Sequence, residues 1–150
     1  MTDVEKIVWG AFGGLTVFVS GQLLAKFFIE PLHVLCKAVG EVRFNLTFHA
    51  PTIHTPIGRS KETSDKAWEA LMKSSCDLIA ALHAIPVYGA TRLLAFGVLP
   101  CRKAIEDAAV QLRGLSTYVN ETGEKANSSL DVIRKRVERI EKLLGLKPLE

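Results

Sequence analysis

Residues 7–25 read IVWGAFGGLTVFVSGQLLA without a charged side chain, and the apolar character continues through Phe27, Phe28 and Ile29. At a 1.5 Å rise per residue, about 19 to 22 helical residues cross a hydrocarbon core of roughly 30 Å. The stretch reads as one transmembrane helix. An all-α fold follows, in which the span continues into a juxtamembrane amphipathic helix and then a small cytoplasmic or membrane-associated bundle ending in an αα-hairpin. The chain divides into an anchor (1–30), a juxtamembrane helix with a Pro-rich loop (31–60), amphipathic and apolar helices (61–100) and the C-terminal αα-hairpin (101–148).

A cleaved signal peptide is the competing reading, with Val19-Ser20-Gly21 as a small-residue cleavage site. The residues before the span favour retention. Thr2-Asp3-Val4-Glu5-Lys6 carries two acids and one base where a signal peptide has a positive segment, and Thr2 with Glu5 matches a capping box that starts a helix. Lysine and arginine favour the cytoplasmic side; only Lys6 precedes the span, whereas Lys26, Lys37 and Arg43 follow it. The expected topology is a membrane anchor with the N-terminus outside and the C-terminal bundle cytoplasmic. Cys36, Cys76 and Cys101 suit that compartment as reduced, mostly buried thiols, since a disulfide framework prefers an even count. The sequons at Asn45, Asn120 and Asn127 matter only for the reverse topology.

Within the span, Gly10 and Gly14 stand four apart and Gly21 follows one heptad later, leaving a face on which another backbone can approach. Glycine is also common in membrane helices generally, so this face is an interface candidate only. Thr16, Ser20 and Gln22 are the polar residues of the span and the candidates for lining a pore.

The 150 residues leave room for one small domain after the anchor. Hydrophobic residues make up 48% and mean hydropathy is +0.19, so the polar part must itself bury or insert apolar surface. Nineteen bases against sixteen acids is too even a balance for a nucleic-acid binder and suits a neighbour of anionic headgroups.

Pro31 kinks or restarts the helix, after which Leu32, Leu35, Cys36, Val39, Val42 and Leu46 recur at helical spacing to about His49. The alternation of Phe44 to Phe48 also fits a short strand, for which no partner is evident. Ala50 to Ser60 reads as a loop because of two prolines and a glycine. Ser60, Thr63 or Ser64 caps a helix through about Ala84, with Trp68, Leu71, Met72, Cys76, Ile79 and Leu82 or His83 on its apolar side. Ile85 to Leu99 is apolar but too short to span alone, and reads as a core or interfacial helix, with a second span or re-entrant element over 78–99 as the alternative. Pro100 suits the first turn of the next helix, where Ile105, Ala108, Leu112, Leu115 and Val119 lead to a stop at Gly123. Asn127 or Ser128 caps the last helix, in which Leu130, Ile133, Val137, Ile140 and Leu144 repeat a three-four rhythm until Gly145 and Pro148. That rhythm serves either intramolecular packing or an interface between copies.

The blocks Gly40-Glu41-Val42, Phe48-His49-Ala50, Ile85-Pro86-Val87-Tyr88, Leu99-Pro100 and Ala108 to Ser116, in this order after an N-terminal span, resemble a widespread set of bacterial membrane-anchored proteins with no assigned activity. The resemblance covers most of the chain and implies a bacterial source and a helical fold.

Chemistry is sparsely represented. His33 and Cys36 lie one turn apart and Cys76 and His83 two turns apart on another helix, so four N/S ligands would surround a Zn²⁺ ion if those faces met. His49 and His54 form a looser pair. No complete motif for a nucleotide, cofactor or metal occurs, and no cofactor is expected. The run Arg134-Lys135-Arg136 is interleaved with acids and reads as a solvated face. Arg92, among Leu93, Leu94 and Phe96, is a charge at membrane depth that either snorkels or pairs with Glu30 or Asp77.

The expected role is a self-associating helical scaffold or protein-interaction module whose partners are the lipid bilayer, further copies of the chain and a cytoplasmic protein, with no nucleic acid. The alternatives are an oligomeric channel or membrane-permeabilising assembly and, third, a metal- or thiol-dependent enzyme.

Overall fold

The computed structural model describes residues 3–55, 60–94, 99–120 and 129–147, and all regular structure among them is helical. Helix α1 (Asp3–Leu24) passes through a π-helical turn (Ala25–Ile29) into α2 (Glu30–Phe48). Together they form one helix of 46 residues, about 69 Å long at 1.5 Å per residue. Pro31 explains the turn. A proline has no N–H to donate, and in a regular α-helix its ring meets the carbonyl four residues back. Widening the turn moves that carbonyl away, and Glu30 N–H donates to the Ala25 carbonyl five residues earlier.

The rest of the chain packs around α2. It comprises α3 (Ala50–His54), α4 (Lys61–Ala84), α5 (Tyr88–Leu94), α6 (Arg102–Val119) and α7 (Leu130–Leu144). Helix α4 lies between α2 and α6, α7 packs on the other side of α6, and α3 touches α2, α4, α6 and α7. Helix α4 runs antiparallel to α2. A hydrogen bond from Tyr88, just past α4, to the Pro100 carbonyl, just before α6, turns the chain at that end so that α6 runs antiparallel to α4. Asn45 donates to Ser74 Oγ at 2.8 Å, while Val34 shares a groove with Ala84. On the other face of α4, Ser75 Oγ donates to the Ala109 carbonyl at 2.9 Å and accepts from Arg113 Nε at 3.2 Å. The last residues of α4 and the first of α6 therefore stand level with the start of α2.

Leu35, Val42, Leu46, Leu71, Leu78, Leu82, Ile105, Leu112, Leu115, Ile133 and Ile140 fill the core. Helix ends follow local chemistry. Ser60 Oγ accepts from Thr63 N–H at 3.2 Å, as expected of that N-cap. At the other end of the bundle, Gly145 takes φ +65° and Leu146 N–H reaches the Glu141 carbonyl at 2.8 Å, the left-handed stop that glycine adopts without a Cβ penalty.

Several expectations are corrected. Residues 44–48 are helical, so the strand alternative falls. Ala50–His54 forms a helical turn instead of a loop, with Pro51 in its first turn, where the missing N–H costs nothing. Helix α6 begins after Pro100, and the Cys101 thiol caps it by accepting from Ala104 N–H at 3.4 Å. On α4 the buried face is displaced: Ala67, Leu71, Ser74, Ser75, Leu78, Ala81 and Leu82 point inward, while Trp68, Cys76 and His83 are exposed. All three cysteines are exposed, against the expectation of buried thiols. The Thr2 capping box, the stop at Gly123, the Asn127 or Ser128 cap, and the link that would join α6 and α7 as a hairpin lie outside the described residues.

Arg136 departs from its expected solvated face and enters the seam between α6 and α7. Its Nη1 donates to Gln111 Oε1 at 2.7 Å, and its guanidinium lies 5.5 Å from the centre of the Tyr118 ring. Gly114 leaves room for it, because a Cβ there would collide with the guanidinium. Replacing Gly114 by alanine sets two effects against each other. Better helix propensity stabilises by about 1 kcal/mol, whereas displacing Arg136 forfeits a cation–π contact and a hydrogen bond of about 1 to 2 kcal/mol together. Thermal melts in detergent are expected to show Gly114→Ala as neutral or mildly destabilising in the parent, and as stabilising in an Arg136→Ala background.

Candidate functional site

The feature with the clearest demand on its surroundings is α1. Every described side chain along it is exposed, and none of its most apolar window is buried by the rest of the chain. Its apolar residues are spread all round the cylinder, from Ile7, Trp9 and Phe12 to Val17, Phe18 and Leu24. A helix of this kind has no polar face to turn to water and calls for an apolar medium on every side. The helix is long and apolar enough to cross a membrane.

At about 100° per residue, Gly10, Gly14 and Gly21 fall within some 40° of one another. A Cβ at any of the three would meet nothing within 4 Å, so the face is uncovered within the chain. Thr16 and Ser20 share a different face, and the Thr16 hydroxyl donates to the Phe12 carbonyl at 2.9 Å. Gln22 lies about 160° around from Ser20 at that same helical advance. A single helix therefore does not turn all three toward one side. Gln22 is also only six residues before Phe28, about 9 Å along the axis and close to where headgroups begin.

The second interface set is corrected too. Ile133, Val137, Ile140 and Leu144 are buried in the chain's own core and Leu130 is half-buried, so the rhythm of α7 serves packing on α6. In the surface pattern of α7, Glu138 pairs with Arg134 at 3.5 Å.

The proposed metal ligands do not converge. His33, Cys36, Cys76 and His83 are all exposed, and among the described residues no three His, Cys, Asp or Glu side chains gather as a metal site would require. The ring Nδ1 of His83 is engaged with the Ile79 carbonyl at 2.9 Å, within its own helix. Burial pushes the Tyr88 phenol above its ordinary value, Arg92 opposes the shift, and Cys101 and Cys36 add to it. Tyr88 donates to the Pro100 carbonyl at 2.8 Å. Arg92 is exposed and neither expected carboxylate holds it; its Nε donates to the Leu99 carbonyl at 3.1 Å, while Asp77 pairs with Lys73 at 3.7 Å. The Tyr88 and Arg92 bonds join the two ends of the Tyr88–Pro100 segment to each other.

At the opposite end of the bundle a groove of about 490 Å³ is lined by His54, Asp131, Arg134 and Glu138 among others. Burial depresses the His54 pKa and the Arg134 charge depresses it further; burial alone depresses that of His49. A histidine with a lowered folded pKa binds fewer protons folded than unfolded, so its contribution is complete above the ordinary value near 6.5 and is lost as pH falls below it. Between pH 7 and 5.5 the melting temperature is expected to fall, and to fall less in Arg134→Gln and least in His54→Gln. Circular dichroism melts of the three proteins in one detergent check this.

No protein-family model matches the sequence, and no curated protein and no solved structure is detectably similar to it.

Proposed function

We propose that the protein is a single-span membrane anchor carrying a helical scaffold that associates with further copies of itself. In this reading α1 crosses a bacterial inner membrane with its N-terminus outside, α2 is the juxtamembrane helix, and the bundle, ending in the αα-hairpin of α6 and α7, faces the cytoplasm and offers its outer surfaces to a protein partner. The observation that carries the reading is the complete exposure of α1 beside a bundle that closes its own core without it. A bundle that buries its own apolar residues has no structural need of a 22-residue apolar extension, whereas a membrane does.

Self-association is supported by the uncovered glycine face. With no hydrophobic effect to drive helices together in lipid, close backbone approach is what brings spans together, and small residues allow it. Lys26 and Arg43 after the span support the orientation. The channel alternative has less support, because Thr16 and Ser20 lie far around the helix from Gln22.

Native mass spectrometry of the full chain in nanodiscs, beside Gly14→Leu, tests the proposal. A discrete oligomer is expected for the parent and its collapse toward monomer for the variant. Monomers in both samples would remove self-association and leave a plain anchor.

A further inference from the structure

Outside residues 3–48, the most exposed large apolar side chains among those described are Leu93, at 81%, and Val87, at 74%. Both belong to the turn and short helix that follow α4. The antiparallel register of α2 and α4 brings this turn level with the point where α1 hands over to α2. Pro86 lines one crevice of about 480 Å³ with Ser20, Leu23, Leu24, Phe27 and Phe28. The crevice sets the apolar side of the long helix beside this turn of the bundle.

Two further observations concern the same turn. Val87 has φ +49° and is the only non-glycine residue with positive φ among those described; a β-branched side chain pays steric strain there, and such strain persists where surrounding structure holds it and function uses it. What the surroundings hold is an isopropyl group turned into open space, next to Tyr88, whose hydroxyl is tied to Pro100. Arg92 adjoins Leu93 and is exposed; its Nε donates to the Leu99 carbonyl, and its guanidinium makes no ion pair among the described residues. Guanidinium forks match phosphate geometry.

We infer that the Pro86–Val87 turn and Leu93 form a second lipid contact, a foot that inserts into the cytoplasmic interface of the bilayer beside the end of the span, with Arg92 on the lipid phosphates. The inference rests on the span reading above and adds to it: the bundle is held against the membrane at two points instead of swinging on one helix. Depth is set by the long helix. From Ile7 to Phe28 the axis advances about 32 Å, close to the thickness of a hydrocarbon core, which leaves Phe27 and the adjoining Pro86 at the headgroup boundary. Apolar side chains at that level contribute through burial in the acyl boundary and basic ones through attraction to phosphate.

Site-directed spin labelling of the full chain in nanodiscs of mixed zwitterionic and anionic lipid tests this. Cysteine is placed singly at Val17, Val87, Leu93 or Phe48 in a Cys36→Ser, Cys76→Ser, Cys101→Ser background, where serine preserves the cap at residue 101. Collisions with oxygen, which concentrates in lipid, are compared with collisions with a water-soluble nickel chelate. Oxygen is expected to exceed nickel at Val17, Val87 and Leu93, and the order to reverse at Phe48, which lies about 30 Å beyond Phe28 along the helix. An oxygen excess at Val17 with nickel dominant at Val87 and Leu93 overturns the foot and leaves the span intact. Nickel dominance at Val17 overturns the span and the foot together. Low collision with both reagents at Val87 and Leu93 places a second protein copy on the patch and likewise overturns the lipid contact.

Discussion

Pro31 cannot donate a backbone hydrogen bond, and the way the chain accommodates this governs everything that follows. Had the helix broken there, α1 and the bundle would be separate bodies joined by a flexible link. The widened turn of Ala25–Ile29 instead lets the helix run through the proline with Glu30 bonded to Ala25. Orientation is thereby transmitted from one half of the molecule to the other: the rotation of α1 about its axis is tied to which side of α2 meets α4, and with it to which side of the span Pro86 stands beside.

The bundle keeps its register with small and polar residues as much as with large apolar ones. Ser74 and Ser75 sit side by side on α4 and face different helices, one accepting from Asn45 of α2 and the other bonding the Ala109 carbonyl of α6. Buried hydroxyls cost free energy unless paired, so each of these bonds penalises a slide of one helix along its neighbour. Ala67, Ala81, Ala108 and Ala109 let the backbones approach closely enough for those bonds to form. Arg136 plays the comparable part between α6 and α7, resting over Gly114 and reaching Gln111 and Tyr118.

This chemistry also explains what could be read from the sequence and what could not. The long helix, the Ser60 cap, the Gly145 stop and the inward residues of α6 were legible, because each rests on a loud local signal: an uncharged apolar run, a capping hydroxyl, a left-handed glycine, a regular apolar spacing. The face of α4 was not. Trp68 and Cys76 carry more hydrophobicity than Ala67 and Ser75, yet α4 is sandwiched between two helices and closeness of approach outweighs side-chain size, so the larger residues are turned outward. Arg136 was equally silent, since three consecutive bases on an amphipathic helix look like solvent. Its destination depends on a glycine 22 positions earlier, a relation that only the packing of α6 on α7 creates. Among the candidate ligands and interface residues, those of α1 stay uncovered within the chain, whereas the four His and Cys side chains fail to meet because α2 and α4 bring other residues of their surfaces together.

Whether the anchor can both associate and rest on a foot is a matter of angle. At about 100° per residue, the centre of the Gly10, Gly14 and Gly21 face and the centre of the Ser20, Leu23 and Leu24 side that meets Pro86 lie roughly 100° apart. A second span packed against the glycines at the close distance small residues allow would therefore approach from beside the foot without displacing it. The converse arrangement, with glycines beneath Pro86, would force the chain to choose between a partner helix and its own turn. Thr16 and Ser20 fall on the side of the foot, and the Thr16 hydroxyl is already satisfied by the Phe12 carbonyl, so Thr16 asks nothing of a neighbouring helix. The face left open to a second copy is the one whose side chains are smallest.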